Sequence, residues 1–139
     1  MSSSVLSSAL AVLVVESNQE TAKQLKSSLN QRFGQRMDIL ALTSCTEAQH
    51  IAQGHRIDFV MANIHSGEGN TFDFCRALRA MPHTSEVPIM LIGEKVSTRE
   101  KIAGFSSGAD DFIVRPIDER LLAARIELLW RIKRMEQLR

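Results

Sequence analysis

The sequence predicts an α/β fold in which a five-stranded parallel sheet is covered by helices on both faces. Short, nearly continuous apolar runs recur along the 139 residues, and such runs are typical of strands buried on both sides. Amphipathic segments separate these runs, so each strand is joined to the next by a βαβ crossover. The result is an open, three-layer, doubly wound architecture, with chemistry or ligands expected at the carboxyl ends of the strands.

The first half of the chain supplies two strands and two helices. Ser17 and Asn18 are suitable N-caps for the first helix, whose apolar residues are spaced by three and four, and Gly34 suits its end. The predicted elements are a strand over 9–15, a helix over 19–33, a strand over 37–42, and a helix that opens at Ser44 or Thr46 and closes near Gly54.

The second half continues the alternation. A polar, glycine-bearing loop over 65–71 follows the third strand, and Ser107-Gly108 ends the fourth helix. The predicted elements are a strand over 57–62, a helix over 72–80, a strand over 87–92, a helix over 97–105, a short strand over 112–114, and a long final helix over 119–139.

Composition excludes several classes of function. The net charge is +1, with 44% apolar and 24% charged residues, so nothing directs the domain to nucleic acid or to a membrane. Cys45 and Cys75 form no metal or disulfide pattern and are interpreted as core thiols. Residues 1–8 lack the basic region of a signal peptide and are interpreted as a disordered, serine-rich tail. We therefore expect a cytoplasmic protein.

Four segments carry a resemblance to a known family. The run GADDFIVRPID over 108–118 closely resembles the GADDYLxKPF segment of response-regulator receiver domains. The segments VLVVESN, IDFVMAN and VPIMLIG are similar to the first, third and fourth strands of the same family, in the same order. The resemblance covers about residues 10 to 128. It implies a flavodoxin-like, CheY-like sheet of strand order 2-1-3-4-5 and a role in two-component, phosphorelay signalling.

The phosphorylation pocket that the resemblance implies has lost its usual residues. The acceptor carboxylate falls on Asn63, and an amide is a poor nucleophile for phosphoryl transfer. The acidic pair falls on Glu16 and Ser17, the hydroxyl on Gly93, and the lysine on Arg115. With one carboxylate left, we expect weak or absent Mg²⁺ binding, no other cofactor, no metal ligands and no catalytic residues. These five positions are predicted to form a degenerate acceptor pocket.

Two structural expectations follow for this pocket. Arg115 is predicted to form a permanent ion pair with Glu16, with Asn63 between them; the alternative is that Arg115 points into solvent. Phe112, at the family's switch position, is predicted to turn inward over the space that Gly93 leaves, with a plain core aromatic as the alternative.

The final helix is longer than the sheet requires. Asp118 is a good N-cap, and about 21 residues follow without a helix breaker. We divide the chain into the tail, a receiver-like domain over 9–129, and a helical extension over 130–139. Trp130, Ile132 and Met135 are predicted, with Phe112, to form an interaction face, for a homodimer or toward an output domain. The residues predicted to pack the helix on the domain are Leu121, Leu122, Ala124, Ile126, Leu128 and Leu129. A frayed cationic helix end is the alternative.

The sequence thus favours a degenerate receiver, not an enzyme, that regulates through contact with a signalling protein or its own output domain. Two alternatives stay open. One is a receiver phosphorylated at a non-standard residue, for which Ser66 and Thr71 offer hydroxyl groups. The other is a purely structural dimerisation domain.

Overall fold

The computed structural model describes residues 9–66 and 69–137, and for residues 133–137 it describes the backbone alone. The predicted tail over 1–8 lies outside the described residues. In chain order the elements are β1 (Leu10–Val15), α1 (Gln19–Phe33), a 3₁₀ turn (Gly34–Arg36), β2 (Met37–Leu42), α2 (Cys45–Gly54), β3 (Phe59–Asn63), α3 (Thr71–Ala80), β4 (Ile89–Gly93), α4 (Thr98–Ser107), β5 (Asp111–Val114) and α5 (Glu119–Gln137).

The five strands form one parallel sheet in the order β2-β1-β3-β4-β5, as predicted. The chain reverses its winding direction between β1 and β3, and such a switch point is where an α/β sheet opens a cleft. The residues that follow β1 and end β3 therefore lie on either side of this cleft.

Alternate residues along each strand enter two separate cores. One core packs the sheet against α2 and α3, with Phe74, Cys75 and Leu78 among its buried members. The other packs the opposite face against α1 and α5 through Leu25, Leu29 and other apolar residues. Burial on both faces explains why the strands appear in the sequence as continuous apolar runs.

Helix caps agree with the sequence where hydroxyl, amide or carboxylate side chains precede a helix. Asn18 accepts a hydrogen bond from the backbone N–H of Thr21, and Ser44 from that of Glu47. Ser97 and Glu100 form a capping box at the start of α4. These contacts satisfy backbone donors that a helix start leaves without partners.

Two strands begin two residues later than predicted. Ile57 and Asp58 precede β3, and Val87 and Pro88 precede β4. The backbone N–H of Asp58 donates to the carbonyl oxygen of Ala11 at 2.7 Å, and its carboxylate accepts from the N–H of the same residue at 2.8 Å. The apolar runs alone do not reveal these local differences.

The face by which α5 packs on the domain differs from the prediction. Leu122, Ala123 and Ile126 are buried and Leu129 is partly buried, whereas Leu121 and Leu128 are 48% and 44% exposed. The expectation that Leu121, Ala124 and Leu128 pack inward was wrong. A helix turns by about 100° per residue, so residues 121 and 128 cannot share the face of 122 and 126.

Arg79 joins three segments at the amino end of β4. Its guanidinium donates to the carbonyl oxygens of Val87 at 2.6 Å and of Gly108 at 2.8 Å. It also donates to the carbonyl of Ser85 at 3.1 Å and forms an ion pair with Asp110 at 3.0 Å. One side chain at the end of α3 thus fixes the loops before β4 and β5.

Candidate functional site

Three polar side chains meet at the carboxyl edge of the sheet. Glu16 follows β1, Asn63 ends β3, and Arg115 follows β5. Their backbones are fixed by the strand ladder, because Glu16 N–H donates to Leu42 and Arg115 N–H donates to Gly93. The side chains are therefore delivered to one place by the sheet and not by flexible loops.

Glu16 is the centre of this cluster. It is only 4% exposed, and its Oε1 accepts hydrogen bonds from Arg115 Nη2 and from Asn63 Nδ2, each at 3.0 Å. Its Oε2 accepts from the backbone N–H of Asn18 at 3.1 Å. The predicted ion pair between Arg115 and Glu16, with Asn63 beside it, is present in the structure.

Asn63 is held at both ends of its amide. While Nδ2 donates to Glu16, Oδ1 accepts from the backbone N–H of His65 at 2.8 Å. Its backbone carbonyl accepts from the hydroxyls of Ser66 at 2.9 Å and Thr71 at 2.8 Å. These two contacts pull the loop after β3 onto the strand end.

Ser66 and Thr71 are not the exposed hydroxyls that phosphorylation requires. They are 2% and 3% exposed, and each hydroxyl donates to a backbone carbonyl. Their role in closing the loop was missed from the sequence, because a Ser or Thr in a polar loop gives no sign of which carbonyl it will reach.

The cluster satisfies its own polar groups. Across the ranges that the structure describes, no buried side-chain nitrogen or oxygen lacks a hydrogen-bond partner. Ser17, which was predicted to belong to the pocket, lies outside this network and is exposed on the surface. The buried donors and acceptors of the cluster are thus already paired and make no demand for an added phosphate or ion.

The residues at this edge do not fit Mg²⁺, the ion that the resemblance implies. Mg²⁺ prefers several oxygen ligands in octahedral geometry. Here the Glu16 carboxylate accepts two nitrogen donors on one oxygen, and Asn63 turns its nitrogen toward it. Among the described residues, no three His, Cys, Asp or Glu side chains lie close enough to hold a metal.

Gly93 lies at the end of β4 and Phe112 lies in β5, as predicted, but the ring of Phe112 does not fill space beside Gly93. A Cβ at Gly93 would lie 2.7 Å from Val96 Cγ2 and 3.3 Å from Ile64 Cδ1, so these two side chains fill the space. Phe112 does turn inward and is 6% exposed. Its ring packs instead against Gly104 of α4, where a Cβ would lie 2.5 Å from Cζ. The expected void above Gly93 is therefore absent.

The loop after β3 also contacts the start of α4. His65 Nε2 lies 3.3 Å from Glu100 Oε2, and both side chains retain contact with solvent. The pKa of the Glu100 carboxyl is lowered, mainly because it accepts a hydrogen bond from the backbone N–H of Ser97 and more weakly because His65 lies nearby. Sequence inspection found His65 near the pocket but not this partner.

Both cysteines are buried, in agreement with their interpretation as core thiols. Burial raises the pKa of the Cys75 thiol to about 12 and also raises the pKa of Cys45. A thiol that stays protonated is a poor nucleophile and metal ligand.

The predicted interaction residues of α5 are only partly described. Trp130 is half-buried and Ile132 is 43% exposed. The side chain of Met135 lies outside the described residues, as do residues 138–139 of the predicted extension.

A family model, described as the response regulator receiver domain, matches residues 12–127 of the chain. The chain belongs to this family. A curated relative, the DNA-binding response regulator MtrA of Mycobacterium tuberculosis, is 32% identical over 115 residues, which are 83% of this chain and 48% of that protein. Another, the transcriptional regulatory protein YvrH of Bacillus subtilis, is 29% identical over 84% of this chain and 47% of that protein. The receiver domain thus spans about half the length of these relatives.

Solved structures of receiver domains share the fold. The signal receiver domain of a Luxo repressor protein from Vibrio parahaemolyticus superposes with a TM-score of 0.83 at 16% identity, over 94% of this chain and 96% of that one. The receiver domain of the sensor histidine kinase PA1611 from Pseudomonas aeruginosa gives a TM-score of 0.79 at 16% identity, over 88% and 98%. In that structure a magnesium ion is coordinated in the active-site cleft.

No helix within the described ranges of this receiver domain combines the length and the apolar character that crossing a membrane demands.

Proposed function

We propose that this chain is a degenerate receiver, a cytoplasmic module that regulates through protein contacts without phosphorylation of an aspartate. The observation that carries the proposal is the amide of Asn63, which stands at the end of β3 and donates to Glu16. An amide whose nitrogen and oxygen are both hydrogen-bonded has no carboxylate lone pair to offer phosphorus.

The rest of the cluster supports the same proposal. Arg115 Nη2 already bonds Glu16, so this donor is committed to an internal ion pair. An arginine in such a pair holds its partner through a fixed planar group, unlike a lysine that follows a phosphoryl group. In this proposal the pocket is a permanent structural joint between β1, β3 and β5.

Phosphorylation at a non-standard residue finds little support. Ser66 and Thr71, the hydroxyls nearest the pocket, are buried and donate to backbone carbonyls. Attack on a phosphoryl donor would require the loop to open and both bonds to break.

Incubation with acetyl phosphate and Mg²⁺ is expected to leave the intact mass of the protein unchanged. The matched control is the double variant Ser17→Asp/Asn63→Asp. Its aspartate at the exposed position 17 supplies the second carboxylate, and its aspartate at position 63 supplies the acceptor at the end of β3. We expect that variant to gain one phosphoryl group. A receiver domain with an intact pocket, incubated in parallel, verifies that the acetyl phosphate is active. A stoichiometric, acid-labile gain on the unmodified chain would contradict the proposal.

The partner is proposed to be an output domain or another signalling protein. The relatives YvrH and MtrA are named as transcriptional or DNA-binding regulators, and the receiver domain corresponds to about half of each. In this proposal nucleic acid is contacted by the output domain and not by the receiver itself. The receiver supplies the regulatory surface.

A homodimer through α5 is a second proposal with a specific observation in its favour. Leu121, Leu128 and Ile132 are exposed, and with Arg125 they follow a four-three-four spacing along one side of the helix. Such a heptad spacing is typical of helices that pair with each other. By spacing, the stripe continues to Met135, whereas Trp130 lies on the opposite side of the helix and is half-buried.

Truncation of the chain before Trp130 is expected to reduce dimerisation, since it removes Ile132 and Met135 from this stripe. The measurement is the molar mass by light scattering, with both chains at the same high concentration. The point variant Leu128→Glu should act like the truncation, whereas Glu127→Lys, exposed on the adjacent side, should not. A full-length chain that is monomeric at every concentration would refute the dimer but leave the degenerate pocket unaffected.

A further inference from the structure

A cleft opens between α1 and the segment that joins β5 to α5. Its volume is about 730 Å³, within the range of small-molecule sites, and it is open to solvent along one side. The cleft is separate from the Glu16 cluster but shares Arg115 with it. Neither the ion pair nor the proposed interaction face accounts for it.

The walls of the cleft combine polar sides with an apolar floor. The polar groups come from α1 at helical spacing, and the apolar groups come from α1, from α5 and from the segment that joins β5 to α5. The side chains concerned are Thr21, Gln24 and Ser27 on the wall, and Leu25, Ile117 and Leu122 on the floor. Hydroxyl and amide groups facing a cavity can bond a polar ligand, whereas a helix packing interface would place apolar side chains there.

Arg115 lies at one end of the cleft with donors to spare. Its single side-chain hydrogen bond to any described residue uses Nη2, which holds Glu16. Nε and Nη1 are therefore available to a ligand, on a guanidinium that is fixed in place and 20% exposed. A planar, pre-organised guanidinium is suited to carboxylate or phosphate oxygens.

The charges of the cleft limit the kind of ligand. Arg115 and Lys23 contribute two positive charges, and Glu20 and Glu119 contribute two negative ones. Glu119 also accepts a hydrogen bond from Ser28 at 2.6 Å across the cleft. A cleft with no net charge disfavours a polyanion and favours a molecule with one acidic group and several hydroxyls.

We propose that the cleft between α1 and the β5–α5 segment binds a small organic anion with one acidic group and neighbouring hydroxyls, anchored by Arg115. This inference rests on the proposed function, because it supplies an input signal to a receiver that takes no phosphate on an aspartate. Arg115 links the ligand directly to Glu16 and thereby to the ends of β1 and β3.

The test is an amide ¹H–¹⁵N NMR titration of the full chain with two probes, glycerate and glycerol 3-phosphate. Glycerate carries a carboxylate and glycerol 3-phosphate a phosphate, so the pair identifies the preferred acidic group. We expect saturable shifts at residues 20–31 and 115–122 with at least one probe. Glycerol, which carries the hydroxyls without an acidic group, and inorganic phosphate, which carries the acidic group without the hydroxyl-bearing carbon chain, serve as controls.

Two variants locate the site. Arg115→Gln is expected to weaken binding about tenfold or more, as loss of a charged hydrogen bond does. Gln24→Trp fills the cleft without touching the ion pair and should abolish the shifts even if Arg115→Gln fails to fold. Arg99→Gln removes the same charge from exposed α4 and should bind normally.

Absence of saturable shifts with both probes would overturn the proposal, as would binding that survives Gln24→Trp. Equal shifts with inorganic phosphate alone would show an adventitious ion only and would also overturn it. None of these outcomes changes the acetyl phosphate result, so failure of the ligand site and failure of the degenerate pocket are distinguishable.

Discussion

Replacing Arg79 with methionine is expected to lower the free energy of unfolding by about 3 kcal/mol, the loss typical of breaking a partly buried charged network. Methionine keeps most of the aliphatic packing but removes every donor. The carbonyls of Val87 and Gly108 then lose their side-chain partner, and Asp110 loses its cation. The loops before β4 and β5 would lose the side chain that bonds both of them, while the two hydrogen bonds between Asp110 and the backbone of Ile89 would remain.

Urea denaturation measures the effect. The slope of the unfolding free energy against urea concentration must be the same in the variant and the unmodified chain, so that the midpoints report stability. Arg76→Met is the matched control: Arg76 lies on the same helix with a side chain 58% exposed, pairs with Asp73 three residues away and donates to Ser107 at 2.8 Å. An exposed pair contributes about 0.5 kcal/mol and one side-chain hydrogen bond about 1 kcal/mol, so the expected loss is about half that at Arg79. Equal losses for the two variants would show that the Arg79 network is not the source of the stability.

Replacing Arg115 with methionine is the second large effect, with an expected loss of about 2–3 kcal/mol. At 4% exposure, Glu16 would be left with only neutral donors among the described residues, the side chain of Asn63 and the backbone N–H of Asn18. An ionised carboxylate without its cation is costly in a buried position.

A double-mutant cycle separates charge from packing. In a Glu16→Gln background the same Arg115→Met change is expected to cost less, because no buried charge remains to be left alone. Arg99→Met, at an exposed position of α4, is the control and should stay within about 0.5 kcal/mol. Additive losses at Glu16 and Arg115 would mean that the two side chains are not energetically coupled.

The sheet could be predicted because each strand is buried on both faces and therefore appears in the sequence as an apolar run. Strand order and every helix followed from the alternation and the resemblance. What the sequence could not supply was the direction in which helical side chains point on the long α5. Leu121 and Leu128 were misplaced because leucines occur on both sides of that helix, and only packing decides which side is buried.

The candidate site was predictable where charge complementarity acts across strand ends, as with Glu16 and Arg115. It was not predictable where the partner is a backbone carbonyl. Ser66 and Arg79 both bond carbonyl oxygens, and every residue carries one, so no residue type marks the acceptor. The place of Phe112 against Gly104 likewise depends on a helix position that no local pattern encodes.

The seating of Val96 beside Gly93 limits what can occupy position 93. Any side chain there would have its Cβ 2.7 Å from Val96 Cγ2, so a serine or threonine fits only when the half-buried Val96 side chain turns away or becomes smaller. Placing a hydroxyl at the end of β4 therefore also requires a rearrangement at Val96, in the segment that leads into α4.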